Sequence, residues 1–100
     1  MCGIFGLVRT KNSSLSDQNL KEVVSNLFLL SETRGREAAG IAINSGLSID
    51  IYKQPGSPKD LINSQKYKSV LNDALNKVND NVSSYSISLI GHSRLVTNGC

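Results

Sequence analysis

The sequence has 100 residues, which is enough for one domain and too few for a multidomain protein. Hydrophobic residues make up 39% of it, close to the share in folded globular proteins, and its longest unbroken run of aliphatic or aromatic residues, 27–30, is far too short to span a membrane. The net charge of +3 is modest and the basic residues are scattered, so nucleic-acid binding is not indicated.

The N-terminal residues do not resemble a secretory signal. Segment 1–8 is apolar, but Arg9 and Lys11 follow it at once, whereas a signal peptide begins with basic residues and continues into an apolar stretch. A disulfide between Cys2 and Cys100 would be unusual in a reducing compartment. We therefore expect a cytoplasmic protein that binds neither membranes nor nucleic acids.

The first half of the chain predicts a strand, a helix and a hairpin, in that order. Residues 2–8 are apolar and rich in strand-preferring types. A helix is expected over residues 17–33, with Ser16 as its N-cap. Its buried stripe is expected to be Leu20, Val23, Val24, Leu27 and Leu30. Residues 38–43 and 47–53 predict two strands joined by a tight turn.

The second half predicts helices followed by a strand. Pro58 fits the first turn of a short helix, where its missing N–H is not needed. A second amphipathic helix is expected to begin at Ser69 and to end in the polar residues 79–81. Its apolar positions are Val70, Leu71, Ala74, Leu75 and Val78. Alternating serine and apolar residues over 84–89 predict a final strand that leads through residues 90–92 into a polar turn.

Cys2 is a candidate nucleophile because of its position. Removal of Met1 would leave a cysteine with its own free α-amine, so that nucleophile and base would share one residue. An α-amine titrates near about 7.7–8.0 and a free thiol near about 8.5, so both exchange protons close to neutral pH. Gly3 would let backbone or substrate approach closely. The alternative is that Cys2 is a small buried hydrophobic residue.

A second segment of interest lies where the long helix gives way to a strand. Gly35 could end that helix, with the cations Arg34 and Arg36 close to its last carbonyls. This explanation does not account for the small residues 38–40 that follow. They indicate a strand lying close beneath another element.

A third segment of interest, residues 91–99, lies at the end of the predicted final strand. The planar guanidinium of Arg94 is suited to hold a carboxylate through two parallel hydrogen bonds, and the alternative is a surface salt bridge. His92 is expected to be structural. Together with the two cysteines it supplies fewer ligands than a structural zinc site needs, so no metal is expected.

Three segments, CGIFG at 2–6, RGREAAGIA at 34–42 and GHSRLVTNG at 91–99, together resemble the opening signatures of class II glutamine amidotransferases, which are N-terminal-nucleophile enzymes. Their order matches, and they extend over nearly the whole chain. The resemblance implies an α+β fold that forms the N-terminal part of a four-layer αββα sandwich. It implies hydrolysis of L-glutamine through a thioester on the N-terminal cysteine, with ammonia passed to a synthase domain and no cofactor.

Carried over position by position, the resemblance makes Cys2 the nucleophile and its α-amine the general base and acid. Arg94 would hold the α-carboxylate of glutamine. Thr97 and Asn98 would line the glutamine pocket.

The same resemblance assigns Arg34 and Gly35 to the wall beside the nucleophile. The family's oxyanion hole is an Asn-Gly pair, and an aspartate binds the substrate amine. Both are expected beyond Cys100, since the Asn-Gly pair at residues 98–99 belongs to the arginine signature.

Three positions bear on the subfamily. Glu37 is typical of the amidophosphoribosyltransferases of purine synthesis, whereas enzymes that form glucosamine 6-phosphate carry an aspartate in this signature. Leu95 stands where the former often have tyrosine and the latter tryptophan, and Arg36 replaces the proline of asparagine synthetase-like proteins. We expect greatest similarity to glutamine–fructose-6-phosphate aminotransferases. Amidophosphoribosyltransferases are the first alternative, and a non-catalytic glutamine-binding or scaffold module is the alternative of another class.

Residues 1–100 are expected to be the N-terminal part of this glutaminase domain, without Met1 in the mature form. The rest of that domain and the synthase domain would follow. A four-layer sandwich needs more strands than the four predicted here, so an exposed apolar sheet face is expected.

Overall fold

A computed structural model of the protein describes residues 3–79 and 86–95. In these residues, three helices cover one face of a four-stranded antiparallel sheet, and the fold is α+β. The strands are β1 (Gly3–Arg9), β2 (Ala38–Asn44), β3 (Ile49–Pro55) and β4 (Ile87–Arg94). The helices are α1 (Asp17–Ser31), which a 3-10 turn (Glu32–Arg34) extends, α2 (Pro58–Asn63) and α3 (Gln65–Asn79). None of them is long and apolar enough to cross a bilayer.

The last strand lies in the middle of the sheet, whose order is β1-β4-β2-β3. Ser93 on β4 lies opposite Gly3 on β1 and opposite Ala39 on β2. β4 continues to Arg94 instead of passing into a turn after residue 92, because it pairs with β1 as far as Ser93 and with β2 as far as Arg94.

The strands β2 and β3 form the predicted hairpin. The side chain of Asn44 accepts a hydrogen bond from the Gly46 N–H at 2.9 Å, and Gly46 has a φ of 90°. That conformation favours glycine, so local chemistry explains this turn.

Helix α1 begins where the sequence predicts and ends earlier. The Ser16 Oγ accepts a hydrogen bond from the Asn19 N–H at 3.1 Å, as expected of an N-cap. The buried positions are Leu20, Val24, Phe28 and Ser31. Val23 and Leu27 of the predicted stripe are half-buried. The prediction that Leu30 is buried is wrong, since it is 74% exposed. Leu30 is two residues beyond Phe28, about 200° further around the helix, and therefore points away from the sheet.

The two later helices also follow local signals, with one correction. Ser57 and Asp60 form a capping box at the start of α2, and Pro58 occupies its first turn. Helix α3 begins at Gln65, earlier than the predicted Ser69, and this brings Tyr67 into the core.

Phe28 is the centre of the core between helices and sheet. Its ring meets the rings of Phe5 and Tyr67 edge to face, with centroids 4.8 and 5.9 Å apart. Burial raises the pKa of Tyr67 to about 12, although the nearby Ser25 hydroxyl acts in the opposite direction. The Tyr67 hydroxyl makes no hydrogen bond of good geometry within the described residues. The phenol is therefore neutral at physiological pH.

The opposite face of the sheet carries large apolar side chains that the described residues leave exposed. They are Ile4, Val8, Ile49, Ile51 and Ile90, which are between 57% and 73% exposed. They alternate along their strands with residues that face the helices, as the two-residue period of a strand requires. The predicted exposed apolar sheet face is confirmed.

An ion pair joins the end of β1 to two helices. The buried Arg9 Nη1 donates to Asp17 Oδ1 at 2.7 Å and to the Leu15 carbonyl at 3.3 Å, and Asn79 Nδ2 donates to Asp17 Oδ2 at 2.7 Å. Burial raises the pKa of Asp17, but these hydrogen bonds and the charges of Arg9 and Lys21 outweigh it and hold the pKa below its usual value.

The substitution Asp17→Asn is expected to destabilise the protein by about 1–3 kcal/mol near neutral pH, because the buried Arg9 would lose its counter-charge. The side chain of Asp17 is itself 39% exposed, which keeps the loss below that of a fully buried pair. The wild-type contribution is complete above the pKa of unfolded aspartate, about 3.9, and is lost as the pH falls through the lower folded pKa.

Urea unfolding of both proteins near neutral pH and near pH 2 measures this effect, and the difference between them should close in acid. Asp73→Asn, on an exposed position of α3, is the control. A difference that persists unchanged in acid would contradict the role of the pair.

Candidate functional site

The three signature segments meet at one end of the sheet. β1 begins at Gly3, β4 ends at Arg94, and the chain between the 3-10 turn and β2 passes beside both. Gly3 lies opposite Ser93 on β4, and Ala38 on β2 lies opposite Arg94. Segments that are far apart in sequence thus become neighbours in the sheet.

Gly3 is buried and closely surrounded. A Cβ at this position would lie 2.7 Å from the Oγ of Ser93, 3.0 Å from the Cβ of Arg34 and 3.1 Å from the Cβ of Ser31. Gly3 is closely approached, but by side-chain atoms of β4, the 3-10 turn and α1, whereas the sequence predicts approach by backbone or substrate. A side chain at position 3 would therefore force these elements apart.

Position 35 also requires glycine, because the backbone of Arg94 lies too close to it for a side chain. Gly35 follows the 3-10 turn, as expected of a residue that ends a helix, but its backbone is extended, with φ −179° and ψ 139°. A Cβ would lie 2.6 Å from the carbonyl oxygen of Arg94 and 2.8 Å from the nitrogen of Leu95. The Glu37 N–H donates to the same Arg94 carbonyl at 3.0 Å. The Arg94 peptide is thus held by the segment that precedes β2.

The candidate side chains at this end of the sheet are accessible, although their backbones are held. Arg94 is exposed and lies on the open face of the sheet, since its neighbour Ser93 faces the helices. Arg34 lines a cleft of about 320 Å³ together with Gly3 and Ser31. His92 is half-buried on the open face, opposite Ile4 on β1.

Only part of the predicted site falls within the described residues. Cys2, Thr97 and Asn98 lie outside them, as does Cys100 with its possible disulfide. Arg34, Gly35 and Arg94 lie within them. The structure brings Gly35 against the backbone of Arg94 and Arg34 beside Gly3.

Sequence reasoning missed one residue of this region. The hydroxyl of Ser93 donates a hydrogen bond to the carbonyl of Ser31 at 2.9 Å, in the interior of the protein. In the sequence, Ser93 is one serine among several near the end of a strand. Its register opposite Gly3 is what makes it notable, and no local pattern reveals that pairing.

A cleft of about 220 Å³ on the open face of the sheet is lined in part by Gly40, Ala42 and His92, which belong to the signature segments. Two other clefts lie away from the signature residues. One of about 290 Å³ borders Arg9 and Asp17 at the far end of β1, and one of about 240 Å³ lies between α1 and α3 beside Tyr67. Over residues 3–79 and 86–95, no group of three or more His, Cys, Asp or Glu side chains could hold a metal ion. The sheet end at Gly3 and Arg94 is therefore the candidate site.

Comparison of this chain with models of protein families, with curated protein sequences and with solved structures gives no match. The functional assignment consequently depends on the residues and their arrangement. A cationic side chain at Arg94 beside the start of β1 is suited to hold a small carboxylate next to the N-terminal residues.

The substitution Gly35→Ala is expected to destabilise the protein by about 1–3 kcal/mol, because the added methyl group would overlap the Arg94 peptide. Gly6→Ala is the matched control, since a Cβ there would meet the Leu89 carbonyl at an ordinary 3.5 Å. Its effect should lie within about 0.5 kcal/mol. Urea unfolding measures both, and equal stability of the two variants would contradict the close approach.

Proposed function

We propose that this chain carries the N-terminal part of the glutaminase domain of a class II glutamine amidotransferase. In this proposal L-glutamine is hydrolysed to glutamate through a thioester on Cys2, and the ammonia passes to a synthase domain. The signatures at residues 2–6, 34–42 and 91–99 lead to the proposal. Among such enzymes, we propose greatest similarity to the glutamine–fructose-6-phosphate aminotransferases.

The pairing of Gly3 with Ser93 carries the proposal. Cys2 is bonded to Gly3 and Arg94 is bonded to Ser93, so the proposed nucleophile and the proposed carboxylate clamp are each one residue away from the same pair. A glutamine whose carboxylate binds Arg94 could present its side-chain amide to Cys2.

The proposed chemistry needs few groups. The α-amine of Cys2 accepts the thiol proton while Sγ attacks the amide carbon of glutamine, and a tetrahedral intermediate forms. The amine then gives its proton to the departing ammonia, and the carbon–nitrogen bond breaks to leave a thioester. Water hydrolyses the thioester, which releases glutamate and restores the thiol.

The remaining predicted residues bind the glutamine or form the walls of its pocket. Arg94 holds the α-carboxylate through charge-assisted hydrogen bonds. Thr97 and Asn98 line the pocket in this proposal, and Arg34 and Gly35 form its wall.

The exposed apolar face of the sheet supports the proposed sandwich. A second sheet packed about 10 Å above it would bury the isoleucines and Val8 of this face. The helices would then lie outside, in an αββα order. Arg94 and His92 project from the same face, so the glutamine pocket would open between the two sheets.

A glutamine-mimicking electrophile tests the proposed nucleophile. In the protein expressed from its whole gene, mass spectrometry is expected to find Met1 removed and the label on Cys2. Cys2→Ala should remain unlabelled, because it lacks the thiol that forms the covalent bond, whereas Cys100→Ala should be labelled like wild type. A retained Met1, or equal labelling of Cys2→Ala, would refute the proposal.

The substitution Arg94→Ala tests the carboxylate clamp. Loss of charge-assisted hydrogen bonds worth about 1.5–3 kcal/mol is expected to raise the glutamine concentration that protects Cys2 from the electrophile by about 10- to 150-fold. The thermal unfolding midpoint should not change, since the side chain is exposed. Arg36→Ala, another exposed arginine, which lies 3.9 Å from Glu32, is the control. Unchanged glutamine protection in Arg94→Ala would rule out the clamp.

A further inference from the structure

Ser93 is fully buried at the point where the candidate site begins. Its side chain faces the helices, and its Oγ donates a hydrogen bond to the carbonyl of Ser31, the last residue of α1, at 2.9 Å. On either side it lies opposite Gly3 and Ala39. One small side chain thus joins the end of β4 to the end of α1.

The size of this side chain matches its surroundings. The Oγ of Ser93 would be 2.7 Å from a Cβ at position 3, so the hydroxyl lies directly against the backbone at Gly3. Apolar side chains fill most other core-facing positions of the sheet, such as Ile87 and Leu89 on the same strand. A hydroxyl at position 93 adds a directional bond, because its donor must point at the Ser31 carbonyl.

The backbone at the end of β4 is also held from the side of β2. Gly35 packs against the Arg94 backbone, and the Glu37 N–H donates to the Arg94 carbonyl at 3.0 Å. The end of β4 is therefore held from the helix side through Ser93 and from the β2 side through Glu37.

We propose that Ser93 is a positioning residue for the glutaminase reaction, through the bond of its hydroxyl to the Ser31 carbonyl. This inference rests on the proposed function. The bond holds Arg94, the next residue, at a set distance from the start of β1. Ser93 itself touches neither glutamine nor the reacting atoms.

A positioning role affects rate and affinity differently. Without the hydroxyl, Arg94 still binds the carboxylate, so the electrophile concentration that gives half-maximal labelling is expected to stay at the wild-type value. The labelling rate constant at saturation is expected to fall about 10- to 100-fold, because the amide carbon is no longer aligned with the thiol. Arg94→Ala is expected to raise the electrophile concentration that gives half-maximal labelling and to leave the rate constant at saturation unchanged.

The experiment measures both constants for Cys2 labelling in the protein expressed from its whole gene. The variant is Ser93→Ala, which removes the hydroxyl and adds no atoms. Ser45→Ala is the matched control. Ser45 is also fully buried, and its hydroxyl donates to the Ser48 carbonyl at 3.3 Å, at the opposite end of the sheet. Its loss should leave both labelling constants unchanged.

A second variant keeps the test valid if Ser93→Ala does not fold. Gly3→Ala retains the hydroxyl but pushes the start of β1 away from it, and is expected to lower the same rate constant. An unchanged rate constant in Ser93→Ala or Gly3→Ala, or a loss of the same size in Ser45→Ala, overturns the inference while the proposed function stands. A wild-type protein that is not labelled on Cys2 overturns both.

Discussion

The close approach of three backbone segments at the end of β4 is the constraint on which the geometry of this site depends. Gly3 and Gly35 come so near to Ser93 and Arg94 that neither position has room for a side chain. The Ser93 hydroxyl and the Arg94 carbonyl each make a hydrogen bond to a neighbouring element. Because protein interiors are close-packed, a displacement of one of these backbones is transmitted to the others. The Arg94 side chain can thus be exposed to solvent while the backbone that carries it is held in place.

The sheet is stabilised from one side within the described residues. Phe28 and its neighbours bury the helix-facing side, whereas Ile4, Ile51 and Ile90 project from the other. Burial of a large aliphatic side chain contributes about 1.5–3 kcal/mol, so covering this face would add substantially to stability. Large exposed apolar patches usually mark a surface that packs against something else. Arg94 projects from the same face, at the end of β4.

Elements whose ends depend on nearby residues could be predicted well. The Ser16 cap, the Pro58 first turn and the Gly46 turn were all indicated by residues within a few positions of each other. The prediction was wrong for Leu30, which lies on the solvent side of α1, because the apolar pattern there is wider than the face that the sheet covers. β4 continues to Arg94 because β1 pairs with it as far as Ser93 and β2 as far as Arg94, and the residue types at 90–92 do not reveal this pairing.

The sequence by itself determined the order of strands and helices and the three signature segments. Hydrophobic periodicity, helix caps and turns depend on residues that are close together along the chain. Only the tertiary structure decided that Ser93 lies against Gly3 and that Gly35 packs on Arg94. These contacts join residues distant along the chain, and they form only when the whole sheet assembles in one register. In a sheet half covered by helices, the burial of Ile87 and Leu89 selects that register, since a shift of one residue would turn them toward the open face.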